Sequence, residues 1–298
     1  MKISVIVPTH NREELVLYLA KSLAEQNYPK EDYEVFIVCD GCIDNTVALL
    51  DENYGQLNNW TILSINQSGP AKARNTGAQL ANGKILAFTD DDCIADPNWL
   101  KAISEAFDSD ENLIGIEGLT FTDNKNVTPL THQIENLNGN PALPTCNAAY
   151  LKSTFEELQG FDESFPYAHN EDADFAWRLK EKGKVIFLDS MKIYHPPRME
   201  SLSKLKGRMK ILESEFPLYY KNPFLYKKYR NTNPWRTIYI EVFLYHQLMF
   251  LKHVLGFFRR PKTLSKGLSL VVSWWVNLIV LFPSFLRMDQ KYKKQFSS

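Results

Sequence analysis

The sequence predicts an α/β fold, a mostly parallel sheet flanked by helices, followed by a basic helical extension. Short apolar runs alternate with helix-patterned segments over the first ninety or so residues, and polar clusters stand at the ends of three of the runs. The charge then divides, net −15 over residues 1–197 and +14 over residues 198–298, although the whole chain sums to −1. At 298 residues and 44% hydrophobic content the chain can bury a sizeable core. These observations predict an α/β domain over residues 1–200 and an aromatic, basic extension over 201–298.

Taken in order, Lys2–Pro8 is predicted as a first strand, since its apolar run is too short for a signal peptide. Asn11–Gln26 is predicted as an amphipathic helix with Leu15, Leu19 and Leu23 on one face and Asn11 as its cap. Strands are predicted at Tyr33–Cys39, Trp60–Ile65 and Lys84–Thr89, with helices at Thr46–Asn53 and Ala71–Leu80. Short connections between such elements imply parallel, right-handed crossovers. Ligands of open parallel sheets bind beyond the carboxyl ends of the strands. The polar clusters fall there: Thr9-His10-Asn11-Arg12, Asp40-Gly41-Cys42-Ile43-Asp44 and Asp90-Asp91-Asp92.

Three consecutive carboxylates at a strand end raise one another's pKa unless something positive lies among them. A divalent cation, Mg²⁺ or Mn²⁺, satisfies that need and can bridge carboxylate to phosphate. The competing explanation is a solvated acidic turn before a helix capped by Asp96. Arg74, inside the small-residue segment Gly69–Gly77, is placed to pair with these acids or with a phosphate. That segment matches neither a Walker A loop nor Gly-x-Gly-x-x-Gly. Of the four cysteines, Cys39 and Cys42 form an isolated Cys-x-x-Cys with no second pair at zinc spacing, so reduced thiols are expected.

Further on, Ile114–Thr122 is predicted as a strand and Asp123–Pro144 as a long functional loop, a lid or an acceptor-binding segment. Glu171-Asp172-Ala173-Asp174 opens a helix; acids there suit the helix dipole, and a carboxylate is also a competent general base. A short strand, Lys184–Leu188, precedes Ile193-Tyr194-His195-Pro196-Pro197.

Seven stretches together resemble the family 2 inverting glycosyltransferases. They are Val5–Arg12, Val38–Thr46, Gly69–Gly77, Phe88–Cys93, Thr145–Ala149, Gly160–Glu163 and Glu171–Arg178, spread over roughly residues 2–200. The resemblance implies the GT-A fold, the nucleotide-diphospho-sugar transferase architecture. It implies transfer of a sugar from a nucleotide-diphosphate donor to a hydroxyl of a glycan or glycolipid acceptor, with Mn²⁺ or Mg²⁺ as cofactor. Asp40, with Pro8, Thr9 and Arg12, would line the pocket for the nucleotide base. Arg74 and Asn75 would lie near the diphosphate and Asp90 near the ribose, with Asp91 in the same donor site but without a separate role. Asp92 and His195 would bind the metal. Asp172 would be the catalytic base, with Glu171 as its partner or alternative. Cys42 stands where a Ser is common in the family.

Ser201–Tyr220 is predicted as one basic amphipathic helix, from which Lys204 or Arg208 could reach a diphosphate or simply face water. Two apolar stretches follow, Ile238–Phe258 and Leu268–Leu286. Spanning either would leave clusters of Lys and Arg on the far side of the membrane from the catalytic half, against the positive-inside tendency. Aromatic-rich helices lying in the membrane interface fit better, with a single span as the alternative. The expected location is therefore the cytoplasmic face of the cell membrane, with a membrane surface, and a second copy of the chain, as candidate partners. A sugar-phosphate nucleotidyltransferase would need a Gly-rich basic loop after the first strand, where Pro8-Thr9-His10-Asn11-Arg12 stands instead. A non-catalytic adaptor on the same fold would not need Asp92 or the Glu171-Asp172 pair. Nucleic-acid binding would leave the acidic sites unused, and no nucleic-acid partner is expected.

Overall fold

The computed structural model describes residues 3–128, 130–245, 247–248, 251 and 261–296, the side chains of 261–264 excepted. They form two compact units. The first holds residues 3–122, 134–164 and 171–196, and the second holds 123–133, 165–170 and the residues from 197 on.

The first unit is built on an eight-stranded sheet. Its strands are β1 (Ile3–Thr9), β2 (Tyr33–Asp40), β3 (Trp60–Ile65), β4 (Ile85–Thr89), β5 (Ile94–Ala95), β6 (Leu113–Phe121), β8 (Asn147–Leu151) and β9 (Lys184–Tyr194). The order is β3-β2-β1-β4-β8-β6-β9-β5. The β1, β2, β3 and β4 pairings are parallel, as is β6 with β9, whereas β8 runs antiparallel between β4 and β6. The helices are α1 (Glu13–Ala24), α2 (Thr46–Tyr54), α3 (Pro70–Leu80), α4 (Trp99–Ser109), α5 (Lys152–Glu157) and α6 (Glu171–Lys180).

Unbroken apolar strands follow from burial on both faces. Alternate residues of β1, β2 and β4 (Val5, Val7, Val35, Ile37, Ile85, Ala87) pack with Leu19 and Leu23 of α1 and with Trp99 and Ile103 of α4. The opposite face carries Ile6, against which α3 packs so closely that a Cβ on Gly77 would lie 2.8 Å from the Ile6 side chain. An aromatic cluster of Phe88, Tyr150, Phe155, Phe161 and Phe175 then joins β4 and β8 to α5 and α6. The chain order reverses around β1, whose neighbours are β2 and β4. That switch point opens a crevice at the carboxyl ends of adjacent strands.

Three local expectations change. Asn11 does not cap α1: it takes a left-handed φ of 51°, and its side-chain oxygen accepts from the Ile43 N–H, tying the turns after β1 and β2 together. Asp96 forms an Asx turn to the Asn98 N–H, so α4 begins at Trp99 rather than beside Asp96. The strand expected to end at Leu188 continues to Tyr194, because its second half pairs with the end of β6 on one side and with β5 on the other.

The second unit contains the antiparallel pair β7 (Thr131–His132) and β10 (Arg198–Met199), so the predicted long loop is partly ordered into a strand. Ser201–Tyr220 is not one helix. It divides into α7 (Leu202–Gly207), a 3₁₀ stretch over Arg208–Ser214 and α8 (Glu215–Lys221), followed by α9 (Pro223–Arg230). A continuous amphipathic helix would have kept its acids in water. Glu213 and Glu215 are instead buried, Glu213 accepting from Tyr167 and Ser284, and Glu215 from Asn170 and Tyr226. Lys204 and Arg208 are 3.5 and 2.9 Å from Glu200.

Of the predicted apolar stretch Ile238–Phe258, about half lies outside the described residues; its start forms a π-helical turn over Thr237–Val242. The second stretch, Leu268–Leu286, is broken. Helices Pro261–Val280 and Phe282–Phe296 meet at Leu281, with Pro283 in the first turn of the second and a bend of 48°. Among the described residues no single helix is long and apolar enough to cross a membrane, although this bent pair is by length and composition.

Asn147 on β8 is a buried link among strands. It accepts from the Trp99 indole at 2.9 Å and donates to the Leu119 and Met191 carbonyls at 3.0 Å each. Asn147→Ala strips partners from three buried polar groups, and the expected loss is about 3 kcal/mol. A lower urea midpoint at unchanged slope would register it.

Candidate functional site

The crevice is assembled from the ends of β1, β2 and β4 and from the first turns of α3 and α6. At the end of β2, the Asp40 carboxylate accepts from the Ser68 N–H at 2.6 Å and the Gly69 N–H at 2.8 Å. Gly41 makes this approach possible: its φ is +66°, and a Cβ there would lie 2.6 Å from Gln67 Cβ. Asp40 thus fixes the loop that launches α3, and α3 carries Arg74. Pro8 and Thr9 end β1 opposite Val38 and Cys39, and both are buried.

Two guanidinium groups lie among the acids after β4. Arg12 Nη1 is 2.5 Å from Asp91 Oδ1 and 3.2 Å from Asp92 Oδ2. Arg74 Nη2 is 2.7 Å from Asp90 Oδ1, and its Nη1 is 3.3 Å from Glu171 Oε1. The Arg74 and Glu171 side chains are 6% and 7% exposed, so this pairing lies well out of water. Burial still raises the Asp91 carboxyl to about 6, with Arg12 opposing and Asp92 reinforcing the shift. At the start of α6, Asp172 Oδ1 accepts from the Ala173 N–H at 2.7 Å. Burial, and then its neighbour Glu171, raises the Asp172 carboxyl to about 7.

His195 stands directly after β9, and its backbone N–H is held by the Phe121 carbonyl at 2.9 Å. Its Nε2 lies 3.6 Å from Asp92 Oδ1. One donor atom from each of Asp92, Cys93 and His195 lies within 4.8 Å of the others, and all three residues are buried. A carboxylate and an imidazole this close on a buried face fit a divalent cation. The sequence offered no signal for Cys93 beyond its position after Asp92.

The fold therefore gathers Arg12, Arg74, Asp90, Asp91, Asp92, Glu171, Asp172 and His195. Arg12, expected beside the base pocket, has its guanidinium on Asp91 and Asp92, which gives Asp91 a partner. The Asn75 amide is engaged elsewhere. It donates to the Phe161 carbonyl and to Glu163 and accepts from the Phe161 N–H, at 2.8–2.9 Å, and so ties α3 to the Phe161–Glu163 turn.

Replacing Arg74 by Met leaves Asp90 and Glu171 without their shared cation. The expected loss of stability is about 3–5 kcal/mol, the range for stripping one partner from a buried ion pair, read as a lower urea midpoint.

Comparison with known proteins bears on this site. The profile of glycosyl transferase family 2 matches residues 4–177. The poly(ribitol-phosphate) beta-N-acetylglucosaminyltransferase TarS of Staphylococcus aureus is 37% identical over 123 residues, 40% of this chain and 22% of that protein. Glycosyltransferase AglE of Haloferax volcanii is 35% identical over 115 residues, 38% of either chain. The chain thus covers 22% and 38% of the lengths of these two relatives. Among solved structures, the mannosyltransferase PcManGT from Pyrobaculum calidifontis, in complex with GDP-Man and Mn²⁺, superposes with a TM-score of 0.59 at 17% identity, over 93% of this chain and 86% of that one. S. aureus TarS in complex with UDP-GlcNAc gives 0.56 at 20% identity, over 77% and 73%. These likenesses establish a GT-A fold, and the profile match over residues 4–177 of 298 places the chain in glycosyl transferase family 2.

Proposed function

We propose that the protein is an inverting glycosyltransferase that moves a sugar from a nucleotide-diphosphate donor to a hydroxyl of a glycan or glycolipid. The observation that carries this proposal is the shared Arg74. One buried guanidinium joins Asp90, on the donor side, to Glu171, beside Asp172 at the start of α6. Donor and acceptor chemistry can therefore meet at one point. The acceptor hydroxyl attacks the anomeric carbon on the face opposite the diphosphate, and Asp172 takes the hydroxyl proton. The carbon–oxygen bond to the diphosphate breaks, its electron pair leaves with the nucleotide, and the anomeric configuration inverts. Glu171, held by Arg74, orients the neighbouring base. Asp92 and His195 would hold a Mn²⁺ or Mg²⁺ ion, which when bound neutralises charge developing on the leaving diphosphate.

Family membership weighs against the nucleotidyltransferase alternative. The poly(ribitol-phosphate) in the name of the TarS relative supports a cell-envelope polymer as the acceptor.

A membrane surface is the proposed location, on the cytoplasmic side, with residues 1–200 as the catalytic domain and 201–298 as the contact. Along Pro261–Val280 the side chains of Leu268, Val272, Trp275, Val276 and Ile279 are exposed, Ile279 by 76%. Their spacing makes one apolar stripe. Lys266, Arg287, Lys291, Lys293 and Lys294 flank it, all exposed. An apolar face edged by cations fits an anionic lipid interface.

Three expectations follow from these assignments. With Asp172 titrating near 7, the rate of transfer should climb between about pH 5.5 and 8 as the carboxylate forms, whereas an ordinary aspartate would give a flat profile there. Initial rates with UDP-GlcNAc or GDP-Man as donor measure this. Asp172→Asn should cut the rate by roughly 10²–10⁴-fold while nucleotide binding holds. Separately, the pair Val272→Glu and Ile279→Glu should abolish co-sedimentation with anionic vesicles without lowering the melting temperature. Unchanged sedimentation would refute the lipid contact, and a shift from dimer to monomer would assign the stripe to a second copy of the chain.

A further inference from the structure

The proposed function leaves the cation open between Mn²⁺ and Mg²⁺. We propose that the Cys93 thiol is a third protein donor to that cation and biases the site toward transition metals over Mg²⁺. This inference rests on Asp92 and His195 being metal ligands.

Strand pairing brings the three donors together. β5 pairs antiparallel with the end of β9, Ala95 opposite Ile193 and Ile94 opposite Tyr194. Carried one residue further, that register sets Cys93 opposite His195. Residues facing each other across an antiparallel pair have Cβ atoms about 4.5–5.5 Å apart, within reach of one ion. The Cys93 N–H donates to the Asp90 carbonyl at 3.1 Å, closing the tight turn that carries Asp91 and Asp92. Asp92 Oδ1 then faces His195 Nε2 at 3.6 Å, while its Oδ2 is the oxygen near Arg12. Donor atoms of all three residues lie within 4.8 Å of one another, and the residues are 5%, 1% and 1% exposed. Ligands at roughly 2.0–2.3 Å from one ion stand about 3–4.5 Å apart, so movements of tenths of an ångström complete the set.

The chemistry of this set is not that of a magnesium site. Mg²⁺ favours near-octahedral oxygen ligands and keeps several waters. Imidazole and thiolate favour the later first-row ions, with affinity rising from Mn²⁺ through Fe²⁺ and Co²⁺. As the metal–sulfur bond forms, the thiol proton passes to solvent. Cys93 also packs within the apolar core, so the competing role is side-chain packing alone.

Cd²⁺ is the probe, because a cadmium–thiolate bond shows an ultraviolet charge-transfer band. The full-length protein, stripped by chelator, is titrated with Cd²⁺. The expected result is a saturable band in the wild type that is lost in Cys93→Ser and Cys93→Ala. It should survive in Cys42→Ser and Cys146→Ser. Mn²⁺ should displace the band at concentrations at least roughly tenfold below those of Mg²⁺. Saturable Cd²⁺ binding without the band, or a band that persists without Cys93, overturns the thiol ligand and leaves the Asp92–His195 site standing. No saturable binding of Cd²⁺ or Mn²⁺ overturns the metal site itself.

Discussion

The site depends on one buried guanidinium. Asp90 and Glu171 approach each other because Arg74 lies between them, at 2.7 and 3.3 Å. Bringing these acids together in a crevice shielded from water would be prohibitive without that cation. With it, the end of β4 and the start of α6 are held in register, although Asp90 and Glu171 are 81 positions apart in the chain. Arg12 repeats the device for Asp91 and Asp92. The sequence shows three consecutive acids, and the structure resolves them into two ion-pair partners and one shared member. Asp92 keeps one oxygen near Arg12 and turns the other toward His195.

Backbone geometry supports the pairing from behind. The Asp40 carboxylate is engaged by the Ser68 and Gly69 N–H groups, which fixes where α3 starts and hence where Arg74 points. Gly77 then lets α3 lie directly on Ile6 and Val38. Asn75, one residue after Arg74, clamps the far side of the helix to the Phe161–Glu163 turn. The residues around the acids are thus largely committed to positioning, and Asp172, the proposed base, is raised to about 7, where it can exchange a proton near neutral pH.

Much of the first unit was legible in the sequence. The strands announced themselves as apolar runs because both faces of the sheet are covered, and the polar clusters after β1, β2 and β4 converge because those strands are adjacent and parallel. What was not legible depends on contacts between distant segments. The antiparallel insertion of β8 between β4 and β6 follows from no local pattern. Neither does the extension of β9 between β6 and β5, the latter pairing setting Cys93 opposite His195. The resemblance assigned Arg12 to the base pocket, but its ion-pair partners Asp91 and Asp92 were not legible from the turn after β1, because they lie about 80 residues away. In the second unit the helical period of Ser201–Tyr220 was misleading. Glu213 and Glu215 are buried there and satisfied by partners such as Tyr167 and Asn170 that periodicity cannot reveal.

The most direct test of the shared-cation arrangement is the transfer rate of Arg74→Lys. Lysine keeps the charge and most of the length but is a point donor that cannot bridge two carboxylates with a planar fork. The expected result is a folded protein whose kcat falls by at least about 100-fold, because the donor-side Asp90 and the proposed base beside Glu171 lose their mutual alignment. A folded Arg74→Lys protein with kcat within twofold of the wild type would contradict the central role given to that guanidinium.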